Sequence, residues 1–338
     1  MQATRDLAIG YWLATSALLG LGACGGGSEP GRSVDPQLSF PTPTAAELQA
    51  VTSEWNQRDL SARDVELAKQ DTLALDYDVQ IYRHRVGANT HYGAVTIPKN
   101  ALPGTVPVVV HADGLDQQKP LLNLDENLQM AGALLQAVVY VVPTFRGRSL
   151  IYKGVSYPAD GDFCDAYDGA ADDAIALLNV VASEVPAANL DRVMARGGSR
   201  GGNTALLMAI RDSRMKAVLA IAAPVDFNRL EVRTRYSEQF RCQFIDNMMP
   251  EASRSRVLAS SPLHFAALSS VRKVSIFHGS ADEVVPVWNA TEMAAALEVR
   301  GVPTELKIFE GYGHQDLGSA PDFRAAQRAA FAELFTME

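Results

Sequence analysis

A serine between two glycines is the residue of this chain best placed for nucleophilic chemistry. Ser199 lies in a Gly197-x-Ser199-x-Gly201 motif, with an apolar, strand-like run before it and a helix-like run after it. Such a turn holds the serine hydroxyl clear of a sheet, and its tightness requires small flanking residues. The hydroxyl could then attack a carbonyl carbon if a base takes its proton. The motif also occurs by chance, so its partners must decide the interpretation.

Two later side chains supply a base and an acid for Ser199. Asp282 follows one apolar, strand-like run, and His314 lies in a glycine-flanked loop after another. His314 would accept the serine proton and later protonate the leaving group, while Asp282 would orient the imidazole and stabilise its charged form. By position alone, Glu283 and Asp316 are competing acids. The order serine, aspartate, histidine, each after a strand, is that of α/β-hydrolase triads and not that of chymotrypsin or subtilisin.

Alternating strand-like and helix-like segments must position these three residues. Residues 45–74 have a helical pattern, and residues 78–85 and 92–98 alternate with period two, which predicts a β-hairpin. Beyond them, helical segments separate continuous apolar runs, a pattern that predicts a parallel sheet covered on both faces. The expected strands of this part lie at 106–110 and 137–142 and near Met194, Leu219, Ser275 and Lys307, and the expected helices at 124–135, 168–183 and 322–335.

Several segments resemble the catalytic domain of the prolyl oligopeptidase family of serine hydrolases. The resemblance implies a stand-alone α/β-hydrolase fold, with a mostly parallel eight-stranded sheet, helices on both faces and a small cap insert. The family places its acid after His-Gly-x-x, which selects Asp282 rather than Glu283 or Asp316. His278 and Arg146 also fall in matching segments, and we interpret both as structural. Many relatives carry a β-propeller, and the lack of internal repeats leads us to expect none here. The similarity runs from about residue 75 to the C-terminus and is densest at 142–147, 172–178, 197–202, 261–263, 278–286 and 300–306.

Hydrolysis also requires donors for the negatively charged oxygen that forms on an attacked carbonyl. The backbone N–H of Arg200, directly after the nucleophile, is expected to be one donor. The second is expected in the loop after the strand at 106–110, from Asp113 or Gly114. Relatives usually have a His-Gly-Gly-like sequence there, and this chain departs from it with Ala112 and Asp113, so the choice stays open. The Arg200 side chain also has two open interpretations: it meets an anionic group, or it lies along the protein surface.

The N-terminal residues form a region distinct from the catalytic domain. Residues 1–24 resemble a signal peptide, because residues 7–23 are mostly apolar and small and end in the lipobox-like sequence Leu-Gly-Ala-Cys24. Cys24 is then expected to carry a lipid, followed by a flexible linker at 25–45 and the catalytic domain at 46–338. The alternative is an ordinary secretory signal in which Cys24 is incidental. Both alternatives predict export to the bacterial periplasm or cell envelope, and the lipid anchor is the expected membrane contact.

Within the catalytic domain, residues 226–263 lack a clear strand and are expected to form the cap. If Cys24 carries lipid, Cys164 and Cys242 remain as an even pair in an oxidising compartment. We therefore predict a disulfide that holds the cap insert over the catalytic edge of the sheet. The alternative is two unpaired, buried cysteines that pack as small apolar residues.

The composition narrows the range of partners. The formal net charge of −9 leaves no basic stripe to neutralise phosphates, so no nucleic-acid partner is expected. No histidine pair has metal-ligand spacing such as His-Glu-x-x-His, and we predict neither a metal nor a cofactor. A small-molecule ester or peptide is the expected partner. The sequence carries no signature of the oligomeric state.

Together these features predict an exported serine hydrolase that cleaves ester or peptide bonds through a Ser-His-Asp triad and an acyl-enzyme intermediate. The short cap and the expected lack of a propeller favour a carboxylesterase, whereas the family resemblance favours a serine-type peptidase or aminopeptidase. A different class, a non-catalytic binding protein on a hydrolase fold, would be expected to have a broken triad. All three residue types of the triad are present, and Ser199 rather than a cysteine occupies the turn.

Overall fold

The computed structural model describes most of the chain after residue 40. The predicted signal peptide with Cys24, and residues 25–40 of the predicted linker, lie outside the described residues. Residues 41–44 lead into the first helix (α1, Ala45–Gln57), which begins with a capping box between Thr44 and Glu47. The described residues are 41–72, 76–115, 121–229, 237–245 and 249–336, all within one compact unit, Asp35–Glu338.

A nine-stranded sheet forms the centre of the protein. Across the sheet, the strands are β1 (Arg63–Asp71), β2 (Tyr77–Val86), β3 (Asn89–Pro98), β6 (Val139–Pro143), β4 (Val106–Ala112), β9 (Ala188–Gly198), β10 (Met215–Ile221), β11 (Lys273–Gly279) and β12 (Thr304–Phe309). The predicted hairpin is present as β2 and β3, and β3 pairs antiparallel with β6. The other six strands, β6, β4, β9, β10, β11 and β12 in their order across the sheet, are parallel to one another. Their carboxyl ends therefore share one edge, where sheets of this type place their chemistry.

The prediction of eight strands is wrong by one, because β1 extends the sheet. β1 lies within residues 45–74, which the sequence pattern predicted to be helical. Most of its residues are exposed, and its Glu, Leu, Ala, Lys and Gln residues are good helix formers, so neither burial nor local propensity indicates a strand. Antiparallel pairing with β2 overrides these preferences. The charged side chains of β1 suit an edge strand, since they discourage pairing with another chain.

Helices cover both faces of the sheet, as predicted. They are α2 (Leu124–Ala131), α3 (Asp168–Glu184), α4 (Arg200–Arg211), α7 (Trp288–Val299) and α8 (Phe323–Thr336). Two further helices, α5 (Ser237–Phe244) and α6 (Pro250–Ala259), lie in the segment between β10 and β11. Successive strand residues point to opposite faces. Val108 and Val110 thus pack with residues of α3, α4 and α7, whereas Val109 packs with residues of α2 and α8. Burial on both faces explains the continuous apolar runs of the parallel strands.

The cap segment, residues 226–263, contains α5 and α6, and none of its described residues forms a strand. A second sheet, which the sequence patterns did not predict, consists of β5 (Leu121–Asn123), β7 (Ser149–Tyr152) and β8 (Val155–Pro158). These strands have three or four residues, too few for a periodic pattern to be recognised. Within the described ranges, none of the helices has the length and hydropathy that a membrane span requires.

Candidate active site

The backbone around Ser199 has the geometry of a nucleophile elbow. Ser199 joins β9 to α4 with φ 54° and ψ −123°, a strained conformation for a residue with a side chain. Its N–H donates to the Ile221 carbonyl of β10 at 2.8 Å, which anchors the turn to the sheet. Gly201 lets the turn pack against the end of β4, because a Cβ there would collide with the Ala112 carbonyl. Ser199 is half-buried at this edge of the sheet.

His314 and Asp282 are in direct contact. Nδ1 of His314 donates to Oδ2 of Asp282 at 2.7 Å. Oδ1 of Asp282 accepts from the amides of Val284 and Val285 at 2.9 and 2.7 Å. Burial alone would raise the pKa of Asp282, but hydrogen bonds from two histidines and from the backbone hold that pKa well below its ordinary value. Asp282 is therefore ionised at neutral pH and can stabilise a positive charge on the imidazole. Its side chain is fully buried, whereas that of His314 is 10% exposed, so only the histidine is open to a substrate.

Close packing of two loops brings this pair together. A Cβ on Gly279, at the end of β11, would collide with the Tyr312 carbonyl in the loop after β12. The Ala281 amide donates to the same carbonyl at 3.0 Å. The loop that carries the aspartate and the loop that carries the histidine are thus joined through their backbones.

The two competing acids have other positions. Oδ1 of Asp316 accepts from the Gly313 amide at 2.7 Å, so this carboxylate closes its own turn. The Glu283 side chain is exposed at the surface. Of the three acids, Asp282 is the one that contacts His314.

His278, which the sequence interpretation treated as structural, also contacts the acid. Its Nε2 donates to the Val285 carbonyl at 2.7 Å and lies 3.3 Å from Oδ2 of Asp282. The ring is fully buried, so this contact is shielded from solvent. His278 therefore helps to hold the Asp282 carboxylate in place. The spacing His-x-x-x-Asp at the end of one strand was the signal available in the sequence.

The side chain of Arg200 is fully buried against the loop that follows β4. Its Nε and Nη2 donate to the Asp113 carbonyl at 3.1 and 2.8 Å, and Nη2 also donates to the Gly114 carbonyl at 2.8 Å. The guanidinium carbon lies 4.2 Å from the centre of the Phe145 ring. The interpretation that this side chain lies along the protein surface is wrong, because the guanidinium is buried. The other interpretation, a contact with an anionic group, stays a prediction. Burial, and then repulsion from Arg148, lowers the pKa of Arg200 to about 9, so it remains charged at neutral pH.

The predicted sources of oxyanion donors lie at the same edge of the sheet. Arg200 is the first residue of α4, and the first amides of a helix have no partner within it. Asp113 and Gly114 follow β4, which is the neighbour of β9 in the sheet. A Cβ on Gly114 would lie 3.7 Å from the Gly198 carbonyl. Gly114 is therefore next to the turn that carries the serine.

A disulfide links the cap to the loop before α3. Cys164 and Cys242 are joined, with their Cα atoms 5.2 Å apart, and Cys242 lies in α5. Beside this bond, the Ala166 amide donates to the buried Oε1 of Gln243 at 2.8 Å. The loop and the cap helix are therefore held together by a covalent bond and a buried hydrogen bond.

Comparison with solved structures identifies hydrolases of the same fold. Acetyl xylan esterase 1 from Thermoanaerobacterium sp. has a TM-score of 0.60 and 16% identity, over 89% of this chain and 98% of that one. An acetyl xylan esterase from Paenibacillus sp. has a TM-score of 0.59 and 20% identity, over 88% of this chain and 98% of that one. An acylaminoacyl peptidase from Pyrococcus horikoshii has a TM-score of 0.58 and 18% identity, over 77% of this chain and 41% of that one. At these identities, the likeness establishes the α/β-hydrolase fold alone.

Sequence comparison identifies the family. We found no curated protein that matches this sequence. The sequence profile of the prolyl oligopeptidase family matches residues 130–336, which is more than half of the chain and includes Ser199, Asp282 and His314. The chain therefore belongs to the prolyl oligopeptidase family of serine hydrolases.

Proposed function

We propose that this protein is an exported enzyme that cleaves ester or peptide bonds through Ser199, His314 and Asp282. The hydrogen bond of 2.7 Å between His314 and Asp282 is the observation that carries the proposal. It sets the orientation and tautomer of the imidazole, and Nε2 is then the nitrogen left to act on the serine. The strained elbow at Ser199 supports the same assignment, since it exposes a hydroxyl at the edge where the histidine lies.

The proposed reaction has two halves. In the first, the Ser199 oxygen attacks the substrate carbonyl carbon while His314 takes the hydroxyl proton, and Asp282 stabilises the imidazolium. The acyl bond then breaks as His314 protonates the departing alcohol or amine, which leaves with the bonding electrons. In the second half, water attacks the acyl-enzyme by the same route, and the proton returns to the serine as the acid is released.

The oxyanion of each tetrahedral intermediate needs two donors. We assign one to the amide of Arg200 and the other to an amide of the loop containing Asp113 and Gly114. Their positions on either side of the serine turn support this assignment. Loss of one such donor costs about 3–4 kcal/mol of transition-state stabilisation in comparable enzymes.

An ester is the substrate class that we favour. The acetyl xylan esterases match over nearly their whole length, whereas the acylaminoacyl peptidase has more than half of its chain outside the match. A peptide is the second candidate, because the family and several structural neighbours are named for peptidases. In both cases the substrate is a small molecule that carries an acyl group.

We also propose export and lipidation of Cys24, on the basis of the lipobox-like sequence. The disulfide between Cys164 and Cys242 supports an oxidising compartment such as the bacterial periplasm or cell envelope. Mass spectrometry of the mature N-terminus tests the anchor. A diacylglyceryl group on Cys24 is the expected result, and an unmodified N-terminus would reject the lipid anchor.

Labelling with a fluorophosphonate probe tests the catalytic proposal. Wild type and Ser213→Ala, which changes an exposed serine beyond the end of α4, are expected to label equally. Ser199→Ala is expected to lose both the label and all turnover of p-nitrophenyl esters. Labelling that survives Ser199→Ala would remove Ser199 from its role, and a wild type without label or turnover would favour the non-catalytic alternative. Turnover of aminoacyl anilides but not of esters would establish the peptidase.

A further inference from the structure

Arg200 bears an unusual set of hydrogen bonds for a buried arginine. It donates three hydrogen bonds to two consecutive backbone carbonyls, those of Asp113 and Gly114. Among the residues that the structure describes, no carboxylate forms an ion pair with it. We propose that the Arg200 side chain is a positioning residue, which presets the oxyanion hole by fixing the loop that supplies the second donor, the Gly114 N–H. This inference rests on the proposed hydrolase function.

The geometry of the peptide bond connects these carbonyls to the donor. In a trans peptide, the C=O of one residue and the N–H of the next point in opposite directions. The Asp113 carbonyl points to the buried guanidinium, so the N–H of Gly114 points away from it. The same relation holds for the Gly114 carbonyl and the amide of Leu115. Arg200 thus orients two successive peptide groups with their N–H ends away from its guanidinium.

The position of Gly114 favours its N–H over that of Asp113. A Cβ on Gly114 would lie 3.7 Å from the carbonyl of Gly198, the residue just before the nucleophile. The N–H of Asp113 belongs instead to the peptide whose carbonyl is that of Ala112. Both the Ala112 and the Asp113 carbonyls lie close to Gly201, but Arg200 donates to the Asp113 carbonyl and not to that of Ala112. Of the two donors left open by the sequence, the structure assigns Gly114.

The charge of Arg200 adds to this positional effect. An arginine paired with a carboxylate has little net field, whereas one bonded to carbonyls keeps its full positive charge. That charge lies at the oxygen ends of the two peptide dipoles and polarises them, so their N–H ends become better donors. In a buried site of low dielectric, oriented dipoles of this kind stabilise a developing oxyanion strongly. Arg148, whose Nη1 lies 3.4 Å from the Gly114 carbonyl, adds a weaker contact of the same type.

A matched pair of arginines on adjoining elements provides the test. Arg200→Met removes the three hydrogen bonds to the loop. Arg192→Met, in β9, also removes three hydrogen bonds to two backbone carbonyls, those of Leu334 and Phe335 in α8. We expect the kcat of Arg200→Met, per serine titrated by the burst of p-nitrophenol, to fall about 10²–10³-fold with little change in KM. Arg192→Met should lower the melting temperature but leave kcat per titrated serine unchanged.

A second substitution and an exchange measurement test the same role of Arg200. Arg200→Lys retains the charge but not the fork that spans two carbonyls, and its kcat is expected to lie between those of wild type and Arg200→Met. Hydrogen–deuterium exchange of residues 111–115 should be faster in Arg200→Met and unchanged in Arg192→Met. Wild-type kcat per titrated serine in Arg200→Met, or unchanged exchange of residues 111–115, would overturn the inference. A wild type that neither turns over esters nor takes the label would instead reject the proposed function, and with it the role of Arg200 in catalysis. The exchange rates of residues 111–115 would still decide whether Arg200 restrains the loop.

Discussion

Arginines in two regions of the molecule have different partners. In the scaffold network, defined here by Arg58, Arg146 and Arg211 with the aspartates around α3, each arginine pairs with carboxylates. Arg146 lies 2.7 Å from Asp173, and Arg58 lies 2.7 Å from Asp168. At the catalytic edge, by contrast, Arg200 bonds to carbonyls, and the charged carboxylate there, Asp282, bonds to histidines and amides. The full set of aspartates in the network is Asp165, Asp168, Asp172 and Asp173.

The charges of the scaffold network stabilise the fold, whereas those of Arg200 and Asp282 remain available to a reaction. In the scaffold network, burial alone would raise the pKa of Asp173, but Arg146 holds it below its ordinary value, so both groups stay charged and balanced. Such a pair has little net field, and the loss of one partner leaves an unpaired buried charge. At the catalytic edge, the direct partners of Arg200 are carbonyl oxygens and those of Asp282 are imidazole and amide N–H groups, so within the described residues neither is held by an ion pair with arginine or carboxylate. A reaction that develops an oxyanion and an imidazolium can use both.

The largest effect on the catalytic edge is expected for Asp282→Asn, which changes the acid that contacts His314. The amide side chain would donate to Nδ1 of His314 and hold the wrong tautomer, so we expect kcat to fall about 10⁴-fold. Steady-state turnover of a p-nitrophenyl ester provides the measurement. Asp316→Asn is the matched control, because an asparagine there can still accept from the Gly313 amide, and its kcat should be unchanged. A loss of less than tenfold in Asp282→Asn would contradict the role of the acid.

The next largest effect is expected on stability, from removal of the disulfide between the cap and the loop before α3. The same loop carries Asp165 of the scaffold network. The bond closes a loop with a sequence separation of 78 residues. Its removal in Cys164→Ser with Cys242→Ser should lower the free energy of unfolding by about 4 kcal/mol, chiefly because the unfolded chain gains freedom. Urea unfolding with and without a reductant measures the loss. The double variant must be insensitive to the reductant, and a wild type equally insensitive would show that the bond contributes nothing.

The sheet, and the position of each of the three candidate residues directly after a strand, could be predicted because both are encoded by local patterns. Continuous apolar runs marked the parallel strands, and the loops after β9, β11 and β12 carry Ser199, Asp282 and His314. Strand β1 could not be predicted, since its only strong reason to be extended is pairing with β2. Strand β5 is similar, since it pairs with β7 across a gap in the sequence. Strands β7 and β8 form a local hairpin, but each has only four residues, too few for a periodic pattern.

The surroundings of the site were harder to predict than its central residues. The contact between His278 and Asp282, and the burial of Arg200 against Asp113 and Gly114, depend on side-chain directions that no periodicity encodes. Arg200 illustrates the point most clearly. An arginine in a turn between a strand and a helix suggests a surface position, and the close approach of β4 and α4, which Gly201 permits, encloses it instead.

Arg211→Met should disrupt the scaffold network without affecting the catalytic edge. Arg211 lies at the far end of α4 from Ser199, is buried, and pairs with Asp172 and Asp168. Removal of one partner from a buried ion pair should cost about 3 kcal/mol of unfolding free energy, measured by urea denaturation. Its kcat per titrated serine should be unchanged.

The control for this variant is Arg63→Met, whose ion pair with Asp59 is exposed on both sides. Its expected cost is less than about 1 kcal/mol, because exposed pairs are well solvated when separated. An equal effect of the two substitutions would show that burial does not distinguish the scaffold network. A fall in kcat per titrated serine in Arg211→Met would show that the two regions are coupled.

The smallest expected effect is a pH dependence of the free energy of unfolding, caused by His84 beside the scaffold network. Burial, and then the neighbouring His91, lowers the pKa of His84 to about 4, with Asp173 acting weakly in the opposite direction. The unfolded chain, in which the pKa of His84 is near 6.5, therefore binds a proton more readily than the folded chain. The contribution of His84 to the free energy of unfolding is complete above pH 6.5 and is lost as the pH falls towards 4. The loss amounts to about 2 kcal/mol between about pH 7.5 and pH 5.

Urea unfolding at several pH values checks this prediction. Burial also lowers the pKa of His111 well below its ordinary value, so the wild type has a second loss in the same direction. His84→Gln cannot be protonated, and its unfolding free energy should fall by about 2 kcal/mol less than that of wild type over the same range. Equal losses in the two proteins would place the acid sensitivity elsewhere.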